Sequence, residues 1–340
     1  MRAISAADSV SLAIQRTREF LFRPFNWGTY LKLCLVAIIT EGLGSNMHSS
    51  SHSGQPGVHG PVFTSPSLLV PVVVAAIFAL ALAAVIMLTV IYLVTRLRFA
   101  YFHCLIHNVK EIRPGWRFYR EPATRFFWMN VGVGFCFLLA VALLFLPFVS
   151  GFVRLFHETQ RGAPLDVGLL LSLVLPLIPI LFLVALAGIA LDVILRDWML
   201  PHYALENATA GEAWSQVWAR ITAEKRQFLV YALLRLVLPV VALIALFIVL
   251  LLPGLALAGS LAAVEFGLHS AFADATGGSA AVGKLLEAFF GLLAFGFTVL
   301  ASICVGGPLS TGIREYALVF YGGRYRELGD ALYPPIPRPA

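Results

Sequence analysis

Arg235 stands about nine residues inside a long apolar run, and Asp192 stands one turn inside the end of the run before it. Ionisable side chains at membrane depth are costly and mark ion, proton or substrate sites by default. At 1.5 Å per residue, Arg235 lies about 13 Å into its run. The two runs are consecutive and therefore antiparallel, so an Asp192–Arg235 pair is expected. Asp192 also reaches Arg196 at i,i+4 spacing. Such charges could hold a transported ion or polar solute. They could equally fix helix register, or Arg235 could snorkel to the headgroups.

A second chemistry is electrostatic and sits between the apolar runs. From Arg96 to Arg125 the chain carries seven Lys or Arg against Glu111 and Glu121. Arg113, Arg117 and Arg120 are interleaved there with Trp116 and Tyr119, and Arg98 and Trp214 occupy similar settings. Basic residues mixed with aromatics suit anionic lipid headgroups, each cation contributing about 1 kcal/mol at an anionic surface. Other chemistry finds no support. There is no G-x-S-x-G, H-E-x-x-H or P-loop pattern. His103 and His107 are spaced i,i+4, and His48, His52 and His59 share a loop, but no Cys or carboxylate completes a zinc set. Cys34, Cys104, Cys136 and Cys304 form no C-x-x-C pair and read as small hydrophobes. No catalytic residue, cofactor, metal or nucleic-acid partner is expected.

The elements that position these residues follow from composition. The 340 residues are 59% hydrophobic and 12% charged, against about 25% charged in a soluble domain. Repeated apolar runs of 20 or more residues predict an all-α, polytopic membrane bundle forming a single domain over 1–340. Residues 1–26 lack the apolar core of a cleavable signal. They hold an amphipathic helix over 6–23, with Val10, Ile14 and Leu21 on the face expected to lie in the membrane interface. Six spans are expected across 27–313, near 27–43, 68–95, 126–148, 167–195, 227–252 and 285–307. Interfacial segments fill 96–125 and 196–226, and a tail follows over 314–340. Pro253-Gly254 reads as a break before a small apolar helix, and Gly306-Gly307-Pro308 as an interruption of the last span. Glu41, Lys284 and Glu287, at outer span ends, read as interfacial residues facing water.

Lys and Arg concentrate in the N-terminal region, the two interfacial segments and the C-terminal region, so both termini are expected in the cytoplasm. Arg98 and Trp116 are 18 residues apart, as are Arg196 and Trp214. That matched spacing suggests an internal repeat of span, interfacial helix and returning span, as found in transporters and in membrane scaffolds.

Arg196-Asp197-Trp198, Pro201, Ala204-Leu205-Glu206, Glu212-Ala213-Trp214 and the opening Leu21-Phe22-Arg23-Pro24-Phe25-Asn26-Trp27 resemble a group of uncharacterised bacterial multi-span proteins. That group is similar to the YciC-like inner-membrane proteins and to the membrane domain attached to some glycerophosphodiester phosphodiesterases. The resemblance implies a bacterial inner-membrane protein of unknown function. The phosphodiesterase catalytic segment is not found in these residues, so that activity is not implied. The residues themselves suggest a non-enzymatic protein that binds membrane lipids, or protein partners in a membrane complex, through a basic aromatic face. The alternative is a small-molecule or lipid transporter with its site between spans 4 and 5.

Overall fold

A computed structural model describes residues 4–46, 69–160, 167–272 and 278–334. Among them there is no strand. The helices are α1 (Asp8–Phe22), α2 (Trp27–Asn46), α3 (Leu69–His107), α4 (Ile112–Phe118), α5 (Arg120–Gln160), α6 (Val167–Val193), α7 (Leu200–Leu205), α8 (Ala210–Ala223), α9 (Lys225–Phe272), α10 (Gly278–Gly322) and α11 (Arg326–Leu332). A π-helical turn over Ile194–Met199 joins α6 to α7. The loop carrying His48, His52 and His59 lies outside the described residues, as does the end of the Pro-rich tail.

Among the described residues, five helices are long and apolar enough to cross a membrane: α3, α5, α6, α9 and α10. Their apolar side chains point outward, with Phe78 71% and Leu292 69% exposed. A water-soluble chain does not expose apolar surface on that scale. The expected first span, α2, is not among the five, because Lys32 and Glu41 dilute its apolar content.

Two expected breaks are absent. Pro253-Gly254 does not end α9, and Gly306-Gly307-Pro308 does not end α10; both helices run on. A proline removes one backbone hydrogen bond, and a membrane helix keeps the others because no water competes for them. At Pro308 the orphaned acceptor is the Cys304 carbonyl, four residues back. The Tyr30 hydroxyl of α2 donates to it at 2.8 Å. Tyr30→Phe should leave that carbonyl unsatisfied and lower stability by about 1–3 kcal/mol. Thermal unfolding of the detergent-purified protein checks this, and an unchanged midpoint would mean that another donor replaces the hydroxyl.

The chain forms two compact units. One comprises Met1–Ser50, Cys104–Lys110 and Glu224–Ala340. Its core is the last third of α10, where Tyr316, Phe320 and Tyr321 are buried. Tyr231 of α9 stacks on Tyr316 at 5.0 Å and on Phe320 at 4.4 Å. α1 packs on α10 through Ser9, Ala13, Thr17, Phe20 and Leu21. The face expected in the lipid interface is therefore corrected in part: Leu21 is buried against protein, whereas Ile14 is exposed. Helical spacing alone does not say which neighbour an apolar face meets. α2 crosses α10 at Gly307, where a Cβ would collide with the Cys34 side chain, so only glycine allows the approach.

The other unit comprises Ser51–His103 and Glu111–Ala223. Its core joins the end of α3 to the starts of α5 and α7. Phe126 meets Phe99 at 5.5 Å and Tyr203 at 5.2 Å, both edge-on. α4 lies close on α3 because Gly115 has no Cβ; one would meet the His103 Cβ at 2.8 Å and the Ala100 carbonyl at 3.0 Å.

Candidate membrane-interface site

α4 is a short helix whose glycine face goes to the protein, and its arginines are left outside. Arg113, Arg117 and Arg120 are exposed, and Phe118 beside them is 74% exposed. Among the described residues no carboxylate pairs with any of the three. Arg125, one turn further on, is tied to Glu121 at 2.6 Å and to Asn207 at 3.4 Å. The result is a patch of three guanidiniums with unused donors beside an exposed aromatic ring. Arg98 and Trp116 behave differently, both being half-buried. Trp116 is covered by Arg96, whose guanidinium sits 4.3 Å from the ring centre and donates to the Trp116 carbonyl at 2.9 Å. Sequence reading passed over Arg96; the only signal available was a cation near a span end with a tryptophan further along the chain.

Trp214 lies on α8, which begins with a capping box. The Thr209 amide donates to the Glu212 carboxylate at 2.9 Å, and the Glu212 amide to the Thr209 hydroxyl at 3.5 Å. The amide bond from Thr209 holds the Glu212 carboxyl below its ordinary value. Trp214 is exposed and stacks on Trp218, one turn on, at 6.2 Å. The i,i+4 spacing of these tryptophans was readable, but Trp218 was not singled out.

The charges at span ends take one expected partner and one unexpected partner. Arg196 is buried in the π-helical turn and meets Asp192 at 3.4 Å. Arg235 meets Glu41 of α2 at 3.5 Å, with side chains 12% and 6% exposed. The expected i,i+4 contact of Asp192 with Arg196 is made, and Arg235 has in Glu41 a partner that the sequence spacing does not point to. Glu41 does not face water, since α2 packs along α10 and turns this carboxylate inward. Glu287 meets His269 across the α9–α10 hairpin at 3.1 Å.

A recess of about 450 Å³ opens at the end of the first unit, lined among others by Arg16, Glu19, His107, Glu315 and Asp330. Its floor is the Arg16–Glu315 ion pair at 2.8 Å. His103 packs edge-on against Tyr119 at 5.8 Å. Among the described residues no three His, Cys, Asp or Glu side chains converge to hold a metal.

The two connecting segments share one further feature. Asn108 and Asn207 both have positive φ, 51° and 53°, and they follow Arg98 by ten residues and Arg196 by eleven. The one-residue longer interval after Arg196 coincides with the π-helical turn, whose wider hydrogen-bonded loop takes up one residue more than an α-helical turn.

The chain matches a family of unknown function (DUF7544) over residues 4–331 and belongs to it. Neither the curated proteins nor the solved structures include a match.

Proposed function

We propose that this member of a family of unknown function is a non-enzymatic membrane protein that binds anionic lipid headgroups through α4 and the start of α5. The observation that carries the reading is the set Arg113, Arg117 and Arg120: exposed, adjacent and without a carboxylate partner among the described residues. A cation that folding leaves unpaired beside an exposed ring is available to a phosphate. The same face could seat this protein as a subunit or scaffold in a membrane complex. Replacing the three arginines with glutamine should weaken binding by about 3 kcal/mol, or roughly a hundredfold. Native mass spectrometry of the detergent-purified protein, titrated with anionic and zwitterionic phospholipids, reads this. Equal retention of anionic lipid by variant and wild type would overturn it.

The proposal includes six spans, and connectivity supports the sixth. Arg16 donates to the Leu105 carbonyl at 3.1 Å, so α1 and the end of α3 share one membrane face. α3 is long enough to cross, so it starts at the opposite face. The chain between α1 and α3 must then cross as well. α2 is the described helix in that stretch, and its 20 residues span about 30 Å, the thickness of a hydrocarbon core. Both termini then share a face, and the excess of Lys and Arg there makes it the cytoplasmic side of a bacterial inner membrane. Likeness to the YciC-like proteins belongs with this reading, as does duplication of the Arg–Asn–Trp segment. The transport alternative gains one specific support, the buried Glu41–Arg235 pair. That moves its site from spans 4 and 5 to α2 and α9.

A further inference from the structure

α8 presents a face chemically unlike that of α4. It turns its small residues inward, with Ala213 and Val217 buried, and its large aromatics outward, with Trp214 43% and Trp218 53% exposed. A helix packed on a soluble core does the reverse.

Its inward face is latched by a closed ring of polar contacts. Arg220 Nη1 lies 3.4 Å from His202 Nε2. A guanidinium only donates, so Nε2 accepts, and the imidazole proton sits on Nδ1, facing the Glu206 carboxylate at 3.5 Å. Gln216 donates to Glu206 at 3.2 Å and accepts from Arg220 at 3.3 Å. The other charge on α8, Glu212, is held in the capping box. The Ser215 and Thr222 hydroxyls bond carbonyls of their own helix. Arg220 is therefore tied into this ring and Glu212, although exposed, is engaged in the capping box, so α8 carries one acid and one base and no net charge of its own.

Covalent context supplies the partner. α8 follows α6 through the π-helical turn and α7, and Glu224 alone separates it from α9; α6 and α9 are both long enough to cross a membrane. The first turns of α9 show Leu229 and Leu233 on the outside. A helix tethered at both ends to crossing helices lies at headgroup level, where tryptophan rings are enriched. There an amphipathic helix sinks its apolar face about 5–10 Å.

We propose that α8 is a membrane-inserted helix whose Trp214–Trp218 stack occupies the boundary between headgroups and acyl chains. Its partner is the uncharged bilayer interface, not an anionic headgroup. This rests on the reading of the chain as a membrane protein and is independent of the α4 arginines. The two contacts differ in their response to salt. The α4 contact weakens as ionic strength rises, whereas the α8 contact does not.

The test uses the full chain in vesicles whose lipids carry bromine near the headgroup or deep in the acyl chain. Trp214→Phe/Trp218→Phe beside wild type isolates the two rings from the other tryptophans. The difference signal should be quenched several-fold more by shallow bromine than by aqueous acrylamide. It should be equal in zwitterionic and anionic lipid, at low and high salt, and in the variant lacking Arg113, Arg117 and Arg120. Quenching by acrylamide alone would overturn the proposal. Shielding from both quenchers would overturn it in favour of a protein partner or a second copy, and quenching confined to anionic lipid would make the contact a headgroup one. Failure of the headgroup reading shows instead as unchanged lipid retention by the arginine variant. Should the Phe variant not fold, fluorotryptophan resonances of the wild-type sequence, broadened by paramagnetic lipid, give the same outcomes.

Discussion

Arg16→Ala should lower stability by about 3–5 kcal/mol, the cost of leaving a buried charge without its partner. Arg16 Nε donates to Glu315 at 2.8 Å, and the Glu315 side chain is 1% exposed. The same guanidinium donates to the Leu332 carbonyl at 3.3 Å and the Leu105 carbonyl at 3.1 Å, and it sits 5.3 Å from the Tyr333 ring centre. One side chain thereby joins α1 to the ends of α3, α10 and α11. Alanine removes all of these contacts and leaves the Glu315 carboxylate facing a recess with no cation on its floor. Arg16→Lys keeps the charge but loses the planar fork that reaches three acceptors at once, so it should fall between alanine and wild type. Arg16→Met/Glu315→Gln should recover part of the loss, because no uncompensated charge then remains. Apparent unfolding midpoints in one detergent, at fixed protein concentration, rank the four proteins. An Arg16→Ala midpoint equal to wild type would show that α1 is held by its apolar stripe alone.

The parts of this architecture that sequence made legible are those set by composition along the chain. Five apolar runs became five helices of crossing length, since a segment with no water to bond to has few structures open to it. The segments over 96–125 and 196–226 were legible by charge and aromatic content, and Arg113, Arg117 and Arg120 of the first are exposed. Pairing was legible only at short separation: Asp192–Arg196 follows from i,i+4 spacing, whereas nothing along the chain points from Arg235 to Glu41, some 190 residues upstream. The same gap explains the false break at Pro308. A proline looks like a stop when its orphaned carbonyl has no donor nearby in sequence, and Tyr30 is brought there by the Gly307–Cys34 crossing. Glu41 lowers the apolar content of α2 in the same way, because a charge counts against a span until its partner is known.

Glu41 and Arg235 are the pair on which that point can be measured. Removing either charge alone, as Glu41→Leu or Arg235→Leu, should cost about 3–5 kcal/mol by leaving the other buried charge without this counter-charge. Glu41→Leu/Arg235→Leu should cost much less than the sum, since apolar side chains of similar bulk often replace a buried pair with little loss. The 3.5 Å separation is long for a guanidinium–carboxylate contact, so the penalty comes more from the desolvated charge left behind than from the bond lost. Unfolding midpoints of the two single variants and the double variant form a cycle that isolates the coupling. Additive losses would mean that each residue is held by its own surroundings and that the pair fixes nothing. Strong coupling would show α2 anchored to α9 by charge within the membrane. The double variant, stable but without either ionisable group, is then the protein in which a transport role for this pair should vanish while lipid binding through Arg113, Arg117 and Arg120 persists.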